Sequence, residues 1–270
     1  MAAKRSLGQH FLVDERIVAR IGRALAPRPD EALLEIGPGR GALTADLLRR
    51  CDRMAAVELD ATLVARLRAR VAEDRLVLLE RDVLRTPLRT VLKALGRADG
   101  ERLVVAGNLP YNISKPIVQK LIQERDCVDR AVLMFQREVA DRLTASPGTR
   151  RYAPLGVLAG FAFHIEPLFD VSPRCFSPAP RVLSTVTRWS APHGPPLCHD
   201  DEKRLRLVLA ASFARRRRTL RNNLKSALGD ESRVEELLAA AEIDGSLRAE
   251  ALAPAAFLRL ASRWDLDALV

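Results

Sequence analysis

The chain is poor in residues that hold metals or cross-link a fold. Of its 270 residues four are cysteines, at positions 51, 127, 175 and 198, and none forms a CxxC pair. Four histidines are present, none at ligand spacing. A zinc site is therefore disfavoured, and the thiols read as reduced ones in a cytoplasm. No uncharged apolar run reaches the length of about 18 residues that a membrane helix needs. Met1-Ala-Ala-Lys-Arg leads directly into polar sequence, so no signal peptide is expected either. Acids are in short supply: 34 Asp and Glu against 44 Lys and Arg leave a net charge of +10, which implies a polyanionic partner. Nothing signals an oligomer, and a monomer is the expectation. What remains is a composition 48% hydrophobic and 29% charged, that of a globular chain with one large domain or a large and a small one.

Taken in order, the chain opens on a basic arm, Lys4-Arg5-Ser6-Leu7-Gly8-Gln9-His10-Phe11-Leu12. Asp14 can cap a helix running through Ala26, with Ile17, Val18, Ile21 and Leu25 on one face. Ala32-Leu-Leu-Glu-Ile36 reads as a buried strand entering Gly37-Pro38-Gly39-Arg40-Gly41, with a helix over 44–50 beyond. Strand, glycine loop and helix form a nucleotide-binding unit, because glycine lets backbone amides approach a ligand closely. The spacing is GxGxG, an imperfect dinucleotide fingerprint. A second strand, Met54-Ala-Ala-Val-Glu58, ends in an acid 21 positions after Gly37, where a carboxylate can accept both hydroxyls of a ribose. NAD and S-adenosylmethionine both satisfy that geometry. A third strand, Leu76-Val-Leu-Leu79, is followed by Asp82, which reads either as a cap or as an acceptor for an adenine amino group.

The fourth strand, Leu103-Val-Val-Ala106, is closed by Gly107 and followed by Asn108-Leu109-Pro110-Tyr111. Pro110 fixes its own φ and pushes Leu109 towards extended geometry, so the carbonyls point in set directions. Asn108 adds an acceptor oxygen and Tyr111 a flat ring. The set suits a planar group bearing an exocyclic NH2, such as adenine; the alternative is a turn with Tyr111 tucked into the core. Four consecutive strand ends carrying Gly37, Glu58, Asp82 and Asn108 match the place where open α/β sheets bind ligands. Ser114 or Asn112 can cap a helix over 115–124, and 131–135 reads as a fifth strand. A helix over 136–145 carries Arg137, Glu138, Asp141 and Arg142 on its solvated side, 152–164 reads as helix by length, and 165–171 and 182–189 as two closing strands. Between these lies a proline-stiffened loop with Phe176 at its middle, a core plug or a stacking ring, the plug being favoured by spacing.

Six stretches of this chain resemble the small-subunit ribosomal RNA adenine N6,N6-dimethyltransferase (KsgA-type) family. They are Leu7-Gly-Gln-His-Phe-Leu12, Glu35-Ile-Gly-Pro-Gly39, Val57-Glu-Leu-Asp60, Asn108-Leu-Pro-Tyr-Asn-Ile-Ser114, Phe176-Ser-Pro-Ala-Pro-Arg-Val182 and Arg215-Arg-Arg-Arg-Thr-Leu-Arg-Asn-Asn-Leu224. The resemblance spans essentially the whole chain. It implies an α/β fold: a class I, Rossmann-like methyltransferase sheet of seven strands with a small all-helical C-terminal domain, divided as 1–190 and 191–270. It implies S-adenosylmethionine as cofactor, held by His10, Leu12, Gly37, Glu58, Asp82 and Asn108; His10 departs from the asparagine common in the family. It also implies catalysis at Asn108, Leu109, Pro110 and Tyr111, with Phe176 near the other face of a flipped-out adenosine. Two adjacent adenosines near the 3′ end of small-subunit rRNA would each be dimethylated, with the immature small subunit as partner.

The segment 203–225 holds nine basic residues and no acid. Leu205, Leu209, Ser212 and Phe213 give it one packed face, so Arg215, Arg216, Arg217, Arg218, Arg221 and Lys225 wrap several faces. Such a run is a solvated surface or a phosphate-contacting one, and the adenine-type site favours phosphate. The stretch 190–196 reads as a linker, and 232–270 as two or three short amphipathic helices. Two other enzyme-related readings stay in view. An assembly factor that only binds would tolerate damage at the strand ends, and these are intact. A relative acting on large-subunit rRNA is disfavoured, by resemblance, by Phe176-Ser-Pro-Ala-Pro and the arginine run. The GxGxG spacing and Asn-Leu-Pro-Tyr disfavour a nicotinamide oxidoreductase.

Overall fold

A computed structural model describes residues 10–192 and 197–264. The arm before His10, part of the expected linker and the last six positions of the expected C-terminal helices lie outside the described residues. The chain divides into two compact units, Met1–Ala140 with Phe163–Ala191, and Asp141–Ala162 with Pro192–Val270. A linear division near residue 190 contains no such interleaving: the segment 141–162 belongs with the C-terminal helices.

The first unit alternates strand and helix: β1 (Phe11–Leu12), α1 (Glu15–Leu25), β2 (Ala32–Ile36), α2 (Ala42–Leu48), β3 (Met54–Glu58), α3 (Ala61–Arg68), β4 (Leu76–Glu80), α4 (Leu88–Ala94), β5 (Leu103–Asn108), α5 (Ser114–Gln123) and β6 (Val128–Gln136). After α6 (Arg137–Leu143) and α7 (Pro154–Ala162) come β7 (His164–Val171), β8 (Phe176–Ser177) and β9 (Ser184–Ser190). Seven strands form one sheet in the order β4-β3-β2-β5-β6-β9-β7. The first five are parallel, and β9 runs antiparallel to both β6 and β7. Parallel strands covered on both faces read as unbroken apolar runs, and β2, β3 and most of β5 are buried throughout. Leu33, Leu47, Met54, Val104, Val132 and Val186 are among the residues of the core cluster.

Strand order reverses between β2 and β5, the crevice where such sheets bind ligands. Register then aligns the strand ends. Ile36 lies opposite both Val57 and Gly107, so the residues that follow them, Gly37, Glu58 and Asn108, stand at one level. A separate two-residue ladder pairs β1 with β8, Phe11 opposite Ser177 and Leu12 opposite Phe176.

One local expectation is corrected. Neither Ser114 nor Asn112 caps α5; residues 111–113 form a 3-10 turn that runs straight into the helix. Ser114 therefore adopts helical dihedrals, and a side chain there cannot reach back to the first amides as an extended cap residue does. The basic run is divided between two helices and the turn that joins them. In the second unit α8 (His199–Ser212) stops before the turn, α9 (Leu220–Leu228) begins after it, and Arg215, Arg216, Arg217 and Arg218 lie exposed within it. The stop is built by Asn223, 1% exposed, whose Oδ1 accepts from the Arg215 amide. Its Nδ2 donates to the Ser212 and Arg215 carbonyls at 2.8 and 3.1 Å. Helices α10 (Glu231–Ala240) and α11 (Pro254–Ser262) complete the unit, around a row formed by Tyr152, Phe213 and Phe257.

Candidate active site

One cavity of the first unit is lined by all six positions expected to hold the cofactor, His10, Leu12, Gly37, Glu58, Asp82 and Asn108, joined by Leu109, Pro110 and Tyr111. Gly37 and Gly39 both have positive φ, +66° and +58°, which is why the loop needs glycine there. A Cβ on Gly39 would also stand 3.0 Å from the Phe11 ring.

Glu58 is 8% exposed, and its carboxylate is fixed by backbone amides. Oε1 accepts from Leu59 and Asp60, each at 2.9 Å, and Oε2 accepts from Gly39 at 3.1 Å. A carboxylate offers about four acceptor positions, so about one stays open to a ligand hydroxyl. Asp82 caps the next turn through Oδ1, which accepts from the Leu84 amide at 2.9 Å, and its Oδ2 stands 3.7 Å from Arg85. The cap and the cavity wall are thus the same residue.

At the end of β5 the Asn108 Nδ2 donates to the His10 carbonyl oxygen at 2.9 Å. This bond orients the amide and leaves Oδ1 without a partner among the described residues. The Pro110 carbonyl accepts from Ile113, whereas the Leu109 carbonyl accepts from no amide among the described residues. Two open acceptors therefore lie on consecutive residues. His10 serves as a joint: its Nδ1 donates to the Pro178 carbonyl at 2.8 Å, and its ring lies 5.3 Å from that of Tyr111. Tyr111 shares a hydrogen bond of 2.8 Å with Ser184, and burial pushes its phenol above the ordinary value, the Ser184 bond opposing.

Phe176 is 4% exposed, belongs to the core cluster and is absent from the cavity wall. Stacking on a substrate base would require the ring to leave that packing; the plug is what the fold contains. The six basic positions also divide. Arg216 pairs with Glu250, Arg221 with Glu235, Lys225 with Glu231, and Arg218 donates to Ser226. The Arg215 and Arg217 guanidinium groups have no partner among the described residues. The acids that pair with Arg216, Arg221 and Lys225 lie outside 203–225, beyond the reach of a reading of that segment.

Sequence reasoning passed over two residues. Glu35 lines the cavity, and burial pushes its carboxyl up to about 7 against the hydrogen bond from Thr44. Its signal was legible: one acid within an otherwise apolar strand. Ser184 had no signal, because its partner is 73 positions away. No helix among the described residues is long and apolar enough to cross a membrane, and no group of three or more His, Cys, Asp or Glu there could hold a metal ion.

A parallel sheet that reverses at a glycine loop, with an acid ending the adjacent strand and an open amide ending the next, defines a Rossmann-like methyltransferase. More narrowly, the chain matches the ribosomal RNA adenine dimethylase family over residues 1–265 and belongs to it. It is 41% identical to the ribosomal RNA small subunit methyltransferase A of Alcanivorax borkumensis, over 96% of this chain and 89% of that one. The protein of the same description from Geobacter metallireducens is 42% identical over 93% and 91%. Among solved structures, the 23S rRNA methyltransferase ErmE is similar with a TM-score of 0.70 at 26% identity, covering 94% of this chain and 98% of that one. A dimethyladenosine transferase from Plasmodium falciparum shares the fold, with a TM-score of 0.75, 24% identity and coverage of 93% and 96%.

Proposed function

We infer that this chain binds S-adenosylmethionine in the strand-end cavity and dimethylates N6 of two adjacent adenosines near the 3′ end of small-subunit rRNA, on the immature subunit. The observation that carries the reading is the commitment of the Asn108 nitrogen to His10, which leaves Oδ1 beside the open Leu109 carbonyl. Two acceptors meet the two N–H bonds of an adenine amino group. The donor set fits the cofactor as well: Glu58 retains an acceptor position for a ribose hydroxyl, and the glycine loop exposes backbone. When bound, S-adenosylmethionine supplies an electrophilic sulfonium methyl.

Adenine N6 is a poor nucleophile because its lone pair is delocalised into the ring. Asn108 Oδ1 and the Leu109 carbonyl hold its two protons, drawing the nitrogen towards tetrahedral geometry and freeing the pair for in-line attack. Holding the reactants in line is the main contribution. No residue here acts as a strong base: the Tyr111 phenol, raised by burial, keeps its proton at neutral pH. With each transfer the methyl's bond to sulfur breaks, the thioether product leaves and one held proton passes to water, so the monomethyl product still offers one N–H and can react again. The adenosine must leave its stack to enter, and Tyr111 offers it a face. Phe176 supports this arrangement from the core, by fixing β8 against β1. In the second unit Arg215 and Arg217 are the cations available to RNA phosphates, with Arg216, Arg218, Arg221 and Lys225 contributing less because their charges or donors are already engaged.

The test is methyl transfer from labelled S-adenosylmethionine to undermethylated small subunits, beside naked rRNA and large subunits. Label is expected as N6,N6-dimethyladenosine near the 3′ end of small-subunit rRNA, reduced more than 100-fold in Asn108→Ala on the scale of about 10²–10³ for losing one catalytic polar contact. Label in the large subunit would keep the chemistry and overturn the substrate. Tight subunit binding without transfer would make the protein an assembly factor.

A further inference from the structure

We propose that Ser184 is a positioning residue for the reaction, acting through the Tyr111 ring; this rests on Tyr111 being the face that receives the adenine. Ser184 is 0% exposed, and a buried hydroxyl requires a partner. Its partner is the Tyr111 hydroxyl, at 2.8 Å. Two neighbouring hydroxyls of β9 are spent within the sheet: Thr185 donates to Asp170, and Thr187 donates to the Leu133 carbonyl. The partner of Ser184, by contrast, is a residue of the cavity wall.

The anchor is firm and the ring is not. Ser184 is registered opposite Gln136 of β6 and Val171 of β7, and the preceding Leu183 carbonyl accepts from the Arg137 amide at 2.9 Å. Its backbone cannot shift without moving a strand that is held on both sides. Tyr111, in contrast, opens a 3-10 turn that has no buried residue and no side-chain cap. Core packing therefore does not set the ring plane. The hydroxyl bond fixes where the tip of the side chain lies, and the contact to His10, whose ring is tilted by 32° to it, restrains rotation about that axis. Free rotation about the side-chain bonds would otherwise let the ring leave the plane that an adenine must stack on, and small misplacements of a bound reactant cost large factors in rate.

The experiment is a double-mutant cycle in the full chain with undermethylated small subunits: Ser184→Ala, Tyr111→Phe, the pair together, and Tyr111→Ala as reference. Ser184→Ala and Tyr111→Phe are each expected to lower kcat about tenfold, less than the roughly 10²-fold that a misplacement of about 1 Å costs. The double variant should be no worse than either single one, and affinity for S-adenosylmethionine, read by calorimetry, should stay at the wild-type value. Tyr111→Phe tests the same bond from its half-exposed side, so the conclusion stands even where Ser184→Ala folds poorly. Wild-type kcat in Ser184→Ala, or losses that multiply in the double variant, would overturn the proposal while leaving the Tyr111 reading intact. A fully active Tyr111→Ala would instead remove that reading and the proposal with it.

Discussion

Glu35 sits between Leu34 and Ile36 at 2% exposure, and its titration is set by what surrounds it. Burial raises its carboxyl to about 7, the charge of Glu58 adds to the rise, and the Thr44 hydroxyl at 2.6 Å works against it. In the unfolded chain the same group titrates near 4.5. The folded state therefore holds a proton that the unfolded state gives up. The stability this contributes is fully present below the unfolded value and is lost as pH rises through about 7. At about 1.4 kcal/mol per pH unit the loss amounts to about 3 kcal/mol. Glu35→Gln keeps the shape and the Thr44 contact but cannot ionise. Its stability relative to wild type should rise between pH 5 and pH 8, as read from urea midpoints at the two values. Parallel pH profiles for the two proteins would show that Glu35 is not the group responsible.

At the scale of elements, the turn between α8 and α9 depends on one amide. Asn223 makes three hydrogen bonds to the backbone of 212–215 from a position that water does not reach. Asn223→Ala leaves those groups unpaired and should cost about 2 kcal/mol, the range for stranding buried polar groups. Thermal unfolding measures it, and a change below about 0.5 kcal/mol, the size of an ordinary surface substitution, would mean that the turn holds itself. This turn also marks where a local reading of the chain stops. The strands of the sheet are legible because 32–36, 54–58 and 103–106 are apolar runs closed by glycine or an acid, and the site is legible because those closures coincide with strand ends. The end of α8 is not legible, since its apolar positions continue to Phe213 and the residue that halts it comes ten positions later. Nor are the Tyr111–Ser184 bond and the His10–Pro178 bond, which join residues that share no periodicity. Local pattern locates elements; it carries no record of which distant side chain will complete them.

For the molecule as a whole, the net charge of +10 overstates what a polyanion meets in the basic run. Carboxylates of Glu231, Glu235 and Glu250 answer three of the six cations from Arg215 to Lys225 and Ser226 engages Arg218, leaving the Arg215 and Arg217 guanidinium groups without a partner among the described residues. Replacing these two by alanine should weaken binding of small-subunit rRNA. The slope of log affinity against log salt should become less negative by about 1.5, at 0.7–0.9 per phosphate contact. Arg221→Ala and Lys225→Ala should change that slope far less, and a salt titration of all four distinguishes them. Equal slopes throughout would refute the partition. The site carries a further consequence, in the order of its assembly. Asn108 is oriented by a carbonyl 98 positions earlier, and the residue bearing that carbonyl is held by one 168 positions later. Closing loops of that length is slow compared with forming the helices between them. During refolding, helical signal should recover before the protein can bind its cofactor, and a chain still emerging from the ribosome has no working pocket until Pro178 has been made.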